Sequence, residues 1–174
     1  MADFEDPFRL RVLIALTDAL RSITVANGYR HDLATSVFRG RDWFGADDPI
    51  PMLSILEQPL QPDQEVRGDR SVGDWELLLQ GWVDDDPTHP TDPGHRLMGD
   101  AKRCLIKEKN RLGEAGRTPN VLGMGPGRGQ GNEVRSLSFG GGVVRPPETF
   151  VSAKAHFWLT VTLGVAENLN NPYA

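Results

Sequence analysis

The residues best suited to chemistry in this 174-residue chain fall in a few short runs. Asp84, Asp85, Asp86, His89, Asp92, His95 and Asp100 form an oxygen- and nitrogen-rich group. Hard cations take carboxylate oxygens, and zinc takes His together with Asp. The spacing has no H-E-x-x-H and lacks the glycine and terminal glutamate of a calcium loop. Pro87, Pro90 and Pro93 hold the connector extended, which disperses ligands, so turn chemistry plus a helix cap is expected and no metal. Gly123 to Gly131 resembles a phosphate loop in composition only. A phosphate cradle needs successive backbone N–H groups leading into a helix N-terminus. Here Pro126 removes one donor, no Gly-Lys-Ser/Thr follows, and the run leads into an expected strand. Cys104 is the one thiol, on an expected core stripe, and Gly-x-Ser-x-Gly is absent. No catalytic residue and no cofactor are therefore assigned, although carboxylates distant in sequence could still meet in space.

Aromatic residues give a different signal. Trp43 and Phe44 follow Arg39-Gly40-Arg41 at the end of an expected strand, and Trp158 interrupts an otherwise polar strand face. Large aromatics outside a core stripe serve as interface anchors or pack beneath a neighbouring loop. Arg117 and Arg128, the only basic residues of the Gly113 to Gly131 segment, are further candidates for a subunit or tube contact.

The elements that must position these residues follow from periodicity. Asp6 and Pro7 read as N-cap and first helical position. Leu13, Leu16, Leu20 and Ile23 then recur at helical spacing up to Asn27-Gly28. Strands are expected over Leu33 to Arg39, Met52 to Glu57 and Asp74 to Val83, with Gln58 to Gly73 as a long loop. Leu78 and Trp82 on the second face of the third strand make it central in the sheet. Asp92 and Pro93 repeat the cap-and-proline pair ahead of a helix carrying Leu97, Ala101, Cys104 and Leu105 on one face. Gly113 to Gly131 holds seven glycines and no aromatic residue, so it is expected to be a flexible loop. Glu133 to Phe139 and Val151 to Leu163 complete the order α-β-β-β-α-β-β. That order predicts an α+β fold, a largely antiparallel mixed sheet with two amphipathic helices on one face.

Composition bounds the function. The chain carries 19 Lys+Arg against 24 Asp+Glu, a net charge of -5, whereas a general nucleic-acid binder needs a basic face. No apolar run approaches the ~20 residues that span a bilayer. Met1 to Asp6 is acidic and lacks the basic start of a secretory leader. One cysteine leaves no internal disulfide framework. A reduced, soluble single domain over residues 1–174 is expected.

Certain runs resemble a known family. Gly28-Tyr29, Val37-Phe38-Arg39-Gly40 and Pro51-Met52-Leu53-Ser54-Ile55 are followed by Leu79-Gln80-Gly81-Trp82-Val83-Asp84-Asp85-Asp86. His89-Pro90-Thr91-Asp92-Pro93-Gly94-His95-Arg96-Leu97 and Asp100-Ala101-Lys102-Arg103 come next. Over about Pro7 to Leu112 the chain resembles the tail terminator and tail-completion proteins of long-tailed bacteriophages. The Gly113 to Gly131 segment is longer than that family leads one to expect. The resemblance implies a structural virion protein without catalysis. Such a protein forms a ring, commonly a homohexamer, on the last ring of the tail tube, stops polymerisation and joins the tail to the neck. Its partners would be itself, the tube protein and a neck or head-completion protein, with DNA passing through the lumen unbound. Its location would be the head–tail junction of the virion, after assembly in the host cytoplasm. A head-completion or neck adaptor is the nearest alternative, and an enzyme using the 84–100 connector a distant one.

Overall fold

The computed structural model describes residues 5–127 and 131–174. It is an α+β fold with a mixed seven-stranded sheet and two helices. Helix α1 spans Phe8–Arg21 and buries Phe8, Val12, Leu16 and Leu20, a four-residue repeat that keeps one stripe on the core. Helix α2 spans Asp92–Lys109 and buries Gly94, Leu97, Ala101, Cys104 and Leu105 in the same way. The strands are β1 (Val37–Arg39), β2 (Met52–Glu57), β3 (Glu65–Arg67), β4 (Arg70–Val83), β5 (Glu133–Phe139), β6 (Val143–Arg145) and β7 (Ala155–Asn168). The sheet order is β1-β2-β4-β7-β5, with β3 also pairing to β4 and β6 to β7. Only β1 and β2 run parallel, because the chain crosses back between them; every other pair is antiparallel.

Strands β4 and β7 form the spine, paired along their whole length from Arg70↔Asn168 to Val83↔Ala155. Residues directly opposite share a face, and the face alternates along each strand. Trp75↔Leu163, Leu77↔Val161 and Leu79↔Leu159 therefore line the helix-covered side, where all six are buried. Leu78↔Thr160, Gln80↔Trp158 and Trp82↔His156 fall on the other side. Gly81 faces Phe157, and a Cβ there would lie 2.2 Å from the Phe157 ring, so glycine makes the room for this aromatic. Gly94 does the same for the approach of α2, whose added Cβ would meet Val144 at 2.5 Å. The centrality of the β4 strand, expected from Leu78 and Trp82, holds.

Several boundaries differ from the expected ones. Helix α1 begins at Phe8, so Pro7 occupies the N-cap and Asp6 lies one place outside, where it caps nothing. The free Phe8 N–H instead donates to the Pro172 carbonyl at 2.7 Å, closing the helix with the C-terminal segment. The helix ends at Arg21, and Asn27-Gly28 closes a separate 3-10 turn, Val25–Asn27, with Gly28 left-handed. Asp92 is also not a cap: Thr91 holds that position without a side-chain bond, and Asp92 pairs with Arg96 at 3.4 Å. The expected loop from Gln58 to Gly73 contains a hairpin, turned at Gly68-Asp69 between Arg67 and Arg70. The first strand is only Val37–Arg39, and the last begins at Ala155 and runs to Asn168.

The Gly113 to Gly131 segment folds back rather than hanging free over its described part. Leu112 bridges Pro119, Gly113 N–H donates to the Thr118 carbonyl at 2.8 Å, and Asn120 N–H donates to the Arg111 carbonyl at 2.8 Å. Val121 and Leu122 are then buried, and the Met124 carbonyl accepts the Val134 N–H at 2.7 Å. Three apolar residues within four positions suffice to seat this stretch, despite the glycines on either side.

Candidate functional site

At the end of the sheet where β4 finishes and β7 starts, three loops meet. The first leaves β1 at Gly40, whose N–H still donates to the Ile55 carbonyl at 2.9 Å. Its left-handed φ of 69° turns the chain back across the face that no helix covers. Arg41 N–H donates to the Ser54 hydroxyl at 3.2 Å, and the guanidinium stacks 4.2 Å over Phe38. Arg41 also pairs with Asp48, which accepts the Gly45 N–H at 2.7 Å. That backbone hydrogen bond, then Arg41, holds the Asp48 carboxyl below its ordinary range.

Tied down in this way, the loop lays Phe44 edge-on against Trp82, with centroids 6.0 Å apart. Trp43 is left 69% exposed. The second loop, between β6 and β7, is knotted by Arg145 Nε to Glu148 at 2.6 Å and by Glu148 N–H to the Ser152 carbonyl at 2.9 Å. At its tip Phe150 has a φ of 66° and a fully exposed ring. A bulky residue in the left-handed region costs of order 1–3 kcal/mol and persists only where its surroundings impose it. Val151, 59% exposed, follows. The third loop carries Asp84, which pairs with Lys154. Between these loops lies an open hollow of about 250 Å³ lined by Asp42, Trp43, Phe44, Trp82, Val151, Ser152 and Ala153.

Of the residues singled out from the sequence, Trp43 and Phe44 lie together at this end. Trp158 is half-buried further along the same sheet face, its ring edge-on to the buried His156 at 5.1 Å. Arg117 is exposed but belongs to the turn beyond the far end of α2, so it does not join them. Arg128 lies outside the described residues. Phe150 was missed because one Phe after two prolines carries no periodicity; its exposure follows from the turn that Glu148 and Ser152 close.

The acidic connector is occupied with backbone work. Asp86 accepts the N–H groups of Thr88 at 2.8 Å and His89 at 2.7 Å, which hold its carboxyl below the ordinary range. Asp100 accepts Arg30 N–H at 3.0 Å, His31 N–H at 3.1 Å and pairs with His31 Nδ1 at 2.8 Å, stapling α2 to the chain after α1. Among the described residues no three His, Cys, Asp or Glu are placed to hold a metal ion together. Cys104 is buried with its thiol pushed up to about 11, chiefly by desolvation, and donates to the Ala19 carbonyl at 3.2 Å. Its thiolate is unavailable as a nucleophile near neutrality.

The chain matches no protein-family model, and no curated protein is similar to it.

Proposed function

We propose that this protein is a ring-forming tail terminator of a long-tailed bacteriophage, which caps the tail tube, stops its growth and joins it to the neck. The observation that carries the reading is the end of the sheet where Trp43 and Val151 stand exposed around one hollow, with Phe150 exposed on the same loop as Val151. Aromatic anchors set beside a pocket are what a protein–protein contact uses, since a few such residues dominate interface energetics. The motif runs from Gly28 to Arg103 supply the family resemblance, and the α+β sheet with its helices on one side suits a subunit that repeats around an axis. Contacts between unlike surfaces close into a ring when the rotation per subunit closes. A net charge of -5 leaves little to hold phosphates, so DNA in the lumen passes ungripped.

Co-sedimentation with purified tail tubes tests the reading. Wild-type protein should pellet with tubes, and Trp43→Ala should weaken that binding at least tenfold while leaving the melting temperature unchanged. Protein that ignores tubes and instead pellets with portal-capped heads is a neck adaptor; binding to neither refutes both assignments.

A further inference from the structure

The subunit has two poles of opposite charge at opposite ends of α2. The aromatic end is acidic. Among the described residues three of its cations are paired, Arg41 by Asp48, Lys154 by Asp84 and Arg145 by Glu148, and Arg39 stands exposed just before the first loop. Asp42, Asp47 and Asp85 remain exposed beside Trp43, Phe150 and Val151, with no ion pair among the described residues.

The other pole is the C-terminal half of α2. Gly94 packs on Val144 at the acidic end, whereas Asn120 bonds the Arg111 carbonyl and leads to Val134, opposite Val165 near the end of β7. Fifteen residue steps along the helix take Gly94 to Lys109, about 22 Å at 1.5 Å per residue. Here Lys107 and Lys109 point to solvent without an ion-pair partner among the described residues. Arg103 stacks over Tyr29 and donates to the Gly28 carbonyl, keeping its positive charge uncompensated at the surface. Glu108 is neutralised by Arg111 at 3.2 Å. Ile106 and Leu112, 40% and 52% exposed, stand among these cations.

The geometry points to a head-to-tail contact in which the acidic aromatic pole of one copy docks on the basic, aliphatic pole of the next. The occupant of each pole is a second copy of this chain. The argument is complementarity: three free carboxylates with aromatic anchors at one end, three unneutralised cations with exposed aliphatics at the other. Opposed potentials of this kind steer association and fix register. Because the surfaces differ, the contact is heterologous and extends or closes into a ring rather than stopping at a two-fold dimer. The inference rests on the ring reading above and adds to it which surfaces meet.

Sedimentation velocity of the full chain tests it. Wild type should be assembled in about 0.01 M salt and largely monomeric in about 1 M, as the Debye length falls from ~30 Å to ~3 Å. Asp42→Lys with Asp85→Lys should be monomeric in low salt, as should Lys107→Glu with Lys109→Glu. Mixing these two double variants should restore assembly, since each reversed pole then faces its complement. Phe150→Gly removes the anchor and relieves its left-handed strain, so it should melt no lower yet assemble at least tenfold more weakly. A wild type that stays monomeric in low salt overturns the contact, as does assembly by either double variant alone at wild-type strength. Tube binding scores separately: capping by variants that still assemble rejects the poles and keeps the terminator, and the mixing rescue without tube binding does the reverse.

Discussion

At the residue scale, the aspartates separate what spacing reveals from what it conceals. Asp92 ahead of a proline looks like a cap, yet it sits inside α2 and its carboxylate pairs with Arg96. An exposed i,i+4 pair stabilises a helix by ≈ 0.2–0.5 kcal/mol, so Asp92→Ala should cost no more than about 0.5 kcal/mol in urea unfolding, not a full cap. Asp86, one of three consecutive aspartates, holds two backbone N–H groups at the connector. Its folded carboxyl lies below the unfolded value, so its stabilisation is complete above about pH 4 and lost as pH falls through the lower folded value. The melting temperatures of wild type and Asp86→Ala should therefore differ at pH 7 and converge toward pH 2; a difference constant with pH would contradict the assignment. Residue type announced turn chemistry in this connector. Which aspartate did which task depended on a one-residue shift in where the helix begins, and local sequence does not resolve that.

At the element scale, the helices and the long strands were legible because each carries one unbroken stripe. Leu97, Ala101, Cys104 and Leu105 are all buried as the periodicity of α2 requires. The short β3 and β6 were not legible, since three residues cannot display a period. The Gly68-Asp69 pair did carry a hairpin signal, hidden by the polar residues around it. Gly113 to Gly131 was read by its glycine content, whereas Val121, Leu122 and Met124 decide where its middle lies. Leu122→Ala should cost about 2–5 kcal/mol, the usual loss for a buried leucine, and expose the segment to protease. In wild type, cleavage should fall in the exposed 114–118 turn and spare 120–124; equal cutting across both would show that this middle is not seated.

At the scale of the whole molecule, the architecture was foreseeable and the proposed assembly surface only half so. Element order and alternation led to an α+β sheet with helices on one side. Trp43 and Phe44 were visible as aromatics off any stripe, but Phe150 and the two charged poles depend on which loops the fold brings to one end. No local pattern encodes that. The terminator assignment rests on those surfaces and on the resemblance of the Gly28 to Arg103 runs, and it makes a demand that mere stickiness does not. A terminator must stop growth. The direct measurement is tube-protein polymerisation followed by electron microscopy, with this protein added to growing tubes. Growth should halt at once, with a ring of the added protein on a single end of every tube. Tubes that lengthen at an unchanged rate, or that carry the protein along their sides, would contradict the account.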